Sequence, residues 1–139
     1  EMIRNFQGYA TQAGMAVIGL GATAISQFPG LIVQNEKHLG QWEAAVNAGH
    51  LAGTRGVTVN ADDAQRSDVI ARLLCDGLVD VPEPLADALP QLARHAARGL
   101  VRLHGRHVAL TPDGWPYARL IASAFDAHLK APQRHSKAV

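Results

Sequence analysis

Four groups of residues in this chain have types and spacings that chemistry could use. Gly19-Leu20-Gly21-Ala22-Thr23-Ala24 follows an apolar run and fits the G-x-G-x-x-A pattern, which cradles a pyrophosphate when a helix starts directly behind it. Here Pro29-Gly30 interrupts after a few residues, whereas a crossover needs about ten or more. The glycines therefore read as places where a ligand or a second backbone comes close. Seven histidines raise metal binding. His104 and His107 flank one turn, but no cysteine or carboxylate beside them completes a ligand spacing, and His38, His50, His95, His128 and His135 are scattered. No metal site is expected. Ser26, Ser123 and Ser136 have no His–acid pairing next to them, and the lone Cys75 reads as a small core residue.

The fourth group is cationic. Arg94, Arg98, Arg102 and Arg106, with His95, His104 and His107, run through a helix and a hairpin without an intervening acid. In a winged helix such elements meet DNA, so a DNA-binding or interaction module is a rival reading. Against it, Asp62, Asp63, Asp68, Asp76, Asp80, Glu83 and Asp87 crowd residues 61–90, and phosphate binding scales with the number of neutralised charges.

Composition narrows the field. A 47% hydrophobic content can build a core in 139 residues, and 18% charged residues argue against a disordered tail. The net charge of +1 implies no strong nucleic-acid or membrane field. No apolar run approaches the roughly 18 residues that span a bilayer. A single cysteine cannot close an intrachain disulfide, which makes a reducing, cytoplasmic setting the expectation. Nor can it hold an iron–sulfur cluster, which takes several thiolates.

The elements that must position these groups follow from periodicity and breakers. Residues 1–34 read as extended segments joined by glycine turns, with strands at Val17-Ile18 and Leu31-Ile32-Val33. Asn35 is placed to cap a helix over Glu36 to Ala48, ended by Gly49. A short strand is expected at Val57-Thr58-Val59. Asn60 caps the next helix, with Asp62 and Asp63 in its first turn and Val69, Ile70, Leu73 and Leu74 as its apolar stripe. A short helix near Leu85 to Ala88, a third helix from Leu89 to Arg98 and a hairpin around His104-Gly105-Arg106 follow. Thr111 caps a last helix whose stripe is Leu120, Ile121, Ala124, Phe125 and Leu129; from Pro132 the tail is polar and expected to be mobile. The expected class is α+β, mainly α: β segments at 1–34, a helix and linker at 35–59, and a winged-helix-like unit at 60–139.

One stretch does not behave as a packing strand. Arg4-Asn5-Phe6-Gln7-Gly8-Tyr9 embeds an arginine and an amide in an apolar front segment, although buried polar groups cost energy unless paired. With Ile18-Gly19-Leu20-Gly21, Thr23-Ala24-Ile25-Ser26 and Val33-Gln34-Asn35-x-Lys37 it resembles oxygen-independent coproporphyrinogen III oxidase, a radical S-adenosylmethionine enzyme family. The resemblance continues through Asp62-Asp63, Arg66-x-Asp68-Val69-Ile70, Leu74-Cys75, Leu110-Thr111-x-x-Gly114, Arg119, Phe125-Asp126 and His135-Ser136-Lys137-Ala138-Val139. It covers essentially the whole chain but only the family's carboxyl-terminal third. Acidic residues usual in the family around Gly14-Met15-Ala16 are absent here.

The resemblance implies a parent that converts coproporphyrinogen III to protoporphyrinogen IX by oxidative decarboxylation in haem biosynthesis. Its cofactors would be S-adenosylmethionine and a four-iron four-sulfur cluster. Residues 1–34 would be the last edge of the truncated catalytic barrel, with Ile25, Gln7 and Phe6 at the S-adenosylmethionine cavity. The winged-helix-like unit would cover the porphyrinogen substrate. Without its amino-terminal catalytic partner the chain is expected to be inactive, to hold no cofactor and to carry no catalytic residue. Its uncovered first segment is a candidate for self-association. A haem chaperone of the same superfamily is the other family-level reading.

Overall fold

The computed structural model describes residues 2–5, 8–11 and 14–129. Strands β1 (Ile3–Asn5) and β2 (Gly8–Ala10) form an antiparallel pair with Arg4 opposite Tyr9. Strands β3 (Ile25–Phe28), β4 (Leu31–Asn35) and β5 (Gly53–Thr58) form a second antiparallel sheet in chain order, with helix α1 (Leu39–Asn47) bridging β4 and β5. Every pairing is antiparallel, and among the described residues no closed barrel is present. The strands of residues 1–34 thus lie in open antiparallel sheets.

The first half departs from the sequence reading in several places, and at Val17-Ile18 only an isolated bridge from Val17 to Gln27 stands where a strand was expected. Asn35 is not a helix cap: the β-branched run of β4 pairs on both sides and carries Asn35 into the sheet. His38 holds the cap position of α1 without a side-chain bond, while the Glu36 carboxylate accepts from the backbone N–H groups of Lys37 and His38 at 2.7 and 3.0 Å. β5 is six residues long, because cross-strand pairing overrides the poor strand propensity of Gly53 and Gly56.

Helix α2 (Ala61–Cys75) opens the second half as its sequence requires. Asn60 Oδ1 accepts from the Asp63 N–H at 2.8 Å and Asp63 Oδ2 accepts from the Asn60 N–H at 3.3 Å, a reciprocal capping box. Gly77 ends the helix at φ +72°, where a side chain would also strike the Trp115 indole 2.5 Å away. Strand β6 (Leu78–Asp80), not foreseen, pairs with β8 (His107–Leu110), which pairs in turn with β7 (Val101–His104). Between β6 and β7 lie a 3-10 segment, Glu83–Leu92, and helix α3 (Ala93–Ala97). The third helix is thus shorter than expected: Pro90 inside the 3-10 segment has no N–H to donate, and α-helix begins only at Ala93. The final helix is likewise divided, into a 3-10 turn at Pro112–Tyr117, helix α4 (Ala118–Ala122) and a 3-10 turn at Ser123–Phe125. The tail from Pro132 lies outside the described residues.

The core belongs to this second half. Val69, Leu73, Leu85, Leu92, Val108, Ile121 and Phe125 are each at most 1% exposed, and full burial of such a side chain stabilises by about 1.5–3 kcal/mol. Residues 2–59 bury only Ser26 and Ala52 among those described. The β1–β2 hairpin leans on α2, with the Tyr9 hydroxyl donating to the Leu74 carbonyl at 3.3 Å.

His95 is a charge-capable intruder in that core. It is 4% exposed; its Nε2 accepts from Arg94 Nε at 3.3 Å, and its Nδ1 has no partner among the described residues. Burial, then Arg94 and Arg98, hold its pKa below the ordinary 6.5. The unfolded chain therefore takes up the proton first, so stability is lost as pH falls through 6.5 towards the lower folded value. His95→Leu is expected to flatten that acid-side loss in denaturation curves taken between pH 7 and pH 5. A slope that survives the substitution would place the titrating group elsewhere. The exposed His128, its pKa raised by the hydrogen bond its Nε2 donates to Asp63, contributes with the opposite sign.

Candidate functional site

Ile25 heads β3 and is half-buried. Everything around it fixes the preceding loop. Ser26, 7% exposed, turns its Oγ back to accept from the Gly19 N–H at 3.0 Å. A Cβ on Gly19 would lie 2.7–2.8 Å from the Ile25 backbone, so only glycine allows this approach. Asn35 Nδ2 donates to the carbonyls of both Gly19 and Gly21, at 3.3 and 3.0 Å. The Thr23 N–H bonds the Glu36 carbonyl at 2.9 Å although Thr23 sits at φ +65°. The loop is pinned at both ends and Leu20, 88% exposed, is held out from it.

This geometry settles the glycine motif. No helix follows Gly19–Ala24; the chain passes straight into β3. The glycines serve close backbone approach, and no helix N-terminus faces a phosphate. Phe6 and Gln7, the other two predicted cofactor contacts, lie outside the described residues. Asn35 was missed as part of the site because it was read as a cap. The signal was two glycines bracketing an apolar residue, which leaves carbonyls in need of a donor.

Sheet register places more beside Ile25. Ile25, Gln34 and Arg55 face one another across β3, β4 and β5, and the next row on that face is Gln27, Ile32 and Val57. Ile32 and Val57 form one wall of a cleft of about 470 Å³, whose other wall is Asp63, Arg66 and Ile70 of α2. His128 closes its rim through Nε2, 2.9 Å from Asp63 Oδ1. Arg66 ties the wall together, with Nε 2.7 Å from Asp62 and Nη1 donating to the Phe125 carbonyl at 3.3 Å.

The metal and DNA readings meet different geometry. Among the described residues no group of three or more His, Cys, Asp or Glu side chains is placed to hold a metal ion. Cys75 is half-buried, and burial followed by Asp76 pushes its thiol pKa up, which keeps it protonated. One thiol of this kind does not fit a four-iron cluster. The basic hairpin is partly neutralised: His107 Nδ1 lies 2.8 Å from Asp80, and Arg106 lies 3.9 Å from Glu83. The sequence hid these pairs because Asp80 reaches His107 only through the unforeseen β6. No helix is long and apolar enough to cross a membrane among the described residues.

Fold and site together define a mixed α/β protein in which a compact helical half carries an exposed antiparallel sheet and a pinned glycine loop. No family model matches the chain. Over nearly its whole length, however, it is homologous to a segment of the oxygen-independent coproporphyrinogen III oxidases. The enzyme of that name from Bradyrhizobium diazoefficiens is 37% identical over 147 residues, covering 98% of this chain and 33% of its own length. The one from Pseudomonas aeruginosa is 34% identical over 142 residues, covering 94% and 31%. A solved structure of coproporphyrinogen III oxidase (HemN) from Escherichia coli, a radical SAM enzyme, superposes with a TM-score of 0.86 at 33% identity, over 92% of this chain and 32% of that one. The chain thus spans about a third of the length of the relatives it matches.

Proposed function

We propose that this chain is the carboxyl-terminal portion of an oxygen-independent coproporphyrinogen III oxidase acting in the cytoplasm. It would supply the last rim of the catalytic domain and a cap over the substrate. The observation that carries this is similarity in sequence and fold over 98% and 92% of this chain to about a third of such enzymes. The order helix α2, strand β6, 3-10 segment and α3, then β7 and β8, supports a winged-helix-like cap from residue 60 onwards. The uncovered apolar residues Met15, Ile18, Leu20 and Leu51 of the front half suit a surface that packs against further protein.

S-adenosylmethionine fits the residues present. Ile25 offers an apolar contact beside a loop that four hydrogen bonds hold still, as a preorganised site requires. Phe6 and Gln7, outside the described residues, are the other two positions that the family resemblance assigns to this cofactor. Held with its reduced cluster in the complete enzyme, S-adenosylmethionine would supply radical chemistry for oxidising the substrate's propionate side chains. The cluster finds no fit in this chain, and its thiolates would come from the catalytic domain. This chain's own part is to place Ile25, to exclude water from the site with the cap, and to keep the loop from moving.

The test is anaerobic conversion of coproporphyrinogen III to protoporphyrinogen IX. The complete polypeptide is expected to perform it, and the 139-residue chain alone to show none and to self-associate through its front half. Activity of the isolated chain, or tight haem binding without turnover by the complete one, would overturn the proposal, the latter in favour of a haem chaperone.

A further inference from the structure

We propose that Arg55 is the carboxylate-binding residue of the site that Ile25 heads, an inference that rests on the reading above. Ile25, Gln34 and Arg55 form one cross-strand row, so all three side chains share a face. Two strand spacings separate Ile25 from Arg55, roughly 10 Å. A ligand laid across the row would therefore meet an apolar contact at one end and a guanidinium at the other. The middle position is already engaged, since Gln34 Nε2 donates to the Thr23 carbonyl at 3.3 Å.

Two observations bear on Arg55 within this row. It is exposed and makes no ion pair among the described residues, unlike Arg66, Arg72 and Arg106. The register between β4 and β5 shifts beside it, because Gln34 faces Arg55 while Asn35 faces Gly53, leaving Thr54 as an extra residue. Bulges of this kind re-aim a side chain and occur next to binding sites. A guanidinium so placed matches a carboxylate with two parallel N–H donors.

Two ligands of the proposed reaction carry that group, the methionyl end of S-adenosylmethionine and the propionates of the porphyrinogen. The experiment separates them by binding rather than turnover. In the complete enzyme, affinities are measured for S-adenosylmethionine and its decarboxylated form, and for coproporphyrin III and its tetramethyl ester. Arg55→Gln is expected to weaken one carboxylate ligand about tenfold while leaving its carboxylate-free counterpart unchanged, and Arg55→Lys to recover part of the loss. The pair affected identifies the source. If Arg55→Gln changes neither acid while Ile25→Asp weakens S-adenosylmethionine, the role of Arg55 is refuted and the site stands. If neither substitution alters any affinity, the site reading falls as well.

Discussion

Phe125→Ala is expected to destabilise the protein by about 3–5 kcal/mol, the range for a buried aromatic truncated in a core that cannot collapse. Phe125 is 0% exposed and is the bulkiest of the fully buried side chains. It ends the last 3-10 turn, which packs against both α2 and the Glu83–Leu92 segment. Its backbone carbonyl also receives Arg66, so relaxation to fill the cavity would pull on α2. Total stabilities are about 5–15 kcal/mol, so the loss would consume a large share. Urea titration followed by circular dichroism checks it. A change below about 1 kcal/mol would mean that the two halves of the core are not joined here.

Gly114→Ala should cost about 3 kcal/mol, near the upper end for overpacking. The added methyl would overlap the carbonyl oxygen of Leu100, a backbone atom that cannot swing away as a side-chain tip does. That same oxygen accepts from the Thr111 N–H at 3.1 Å, and Thr111 in turn caps Gly114 through Oγ1 at 3.1 Å. Moving Leu100 would therefore break the link between β7 and the turn that starts the last helical region. Gly40→Ala in α1 is the control: open space surrounds it, and the helix should gain about 0.5–1 kcal/mol. Equal melting temperatures for the two variants would contradict the steric account.

How much of this was legible beforehand depends on whether the signal is local. The Asn60–Asp63 box and the apolar stripe of α2 lie within one helix, and both were readable. The hairpin around Gly105 was readable too, from two short β-branched runs about a turn. What escaped was decided at a distance. β6 is three residues long and exists because β8 offers it an edge. β5 reads as a glycine-rich linker until β4 pairs with it. Asn35 carries a cap residue's chemistry but spends it on two carbonyls more than a dozen positions upstream. Of the site, Ile25 follows from a family resemblance; the Ser26 and Asn35 braces and the Arg55 row exist only through strand pairing. Local propensity cannot encode a register.

The Tyr9–Leu74 bond joins residues 65 positions apart. During synthesis the hairpin emerges long before the helix it leans on. At about 5–20 residues per second, the delay is several seconds. Throughout that interval the nascent front half has two buried residues' worth of interior to hold it and many apolar side chains facing water. In a polypeptide whose catalytic domain is made first, that domain would be in place to cover these side chains before the helix arrives.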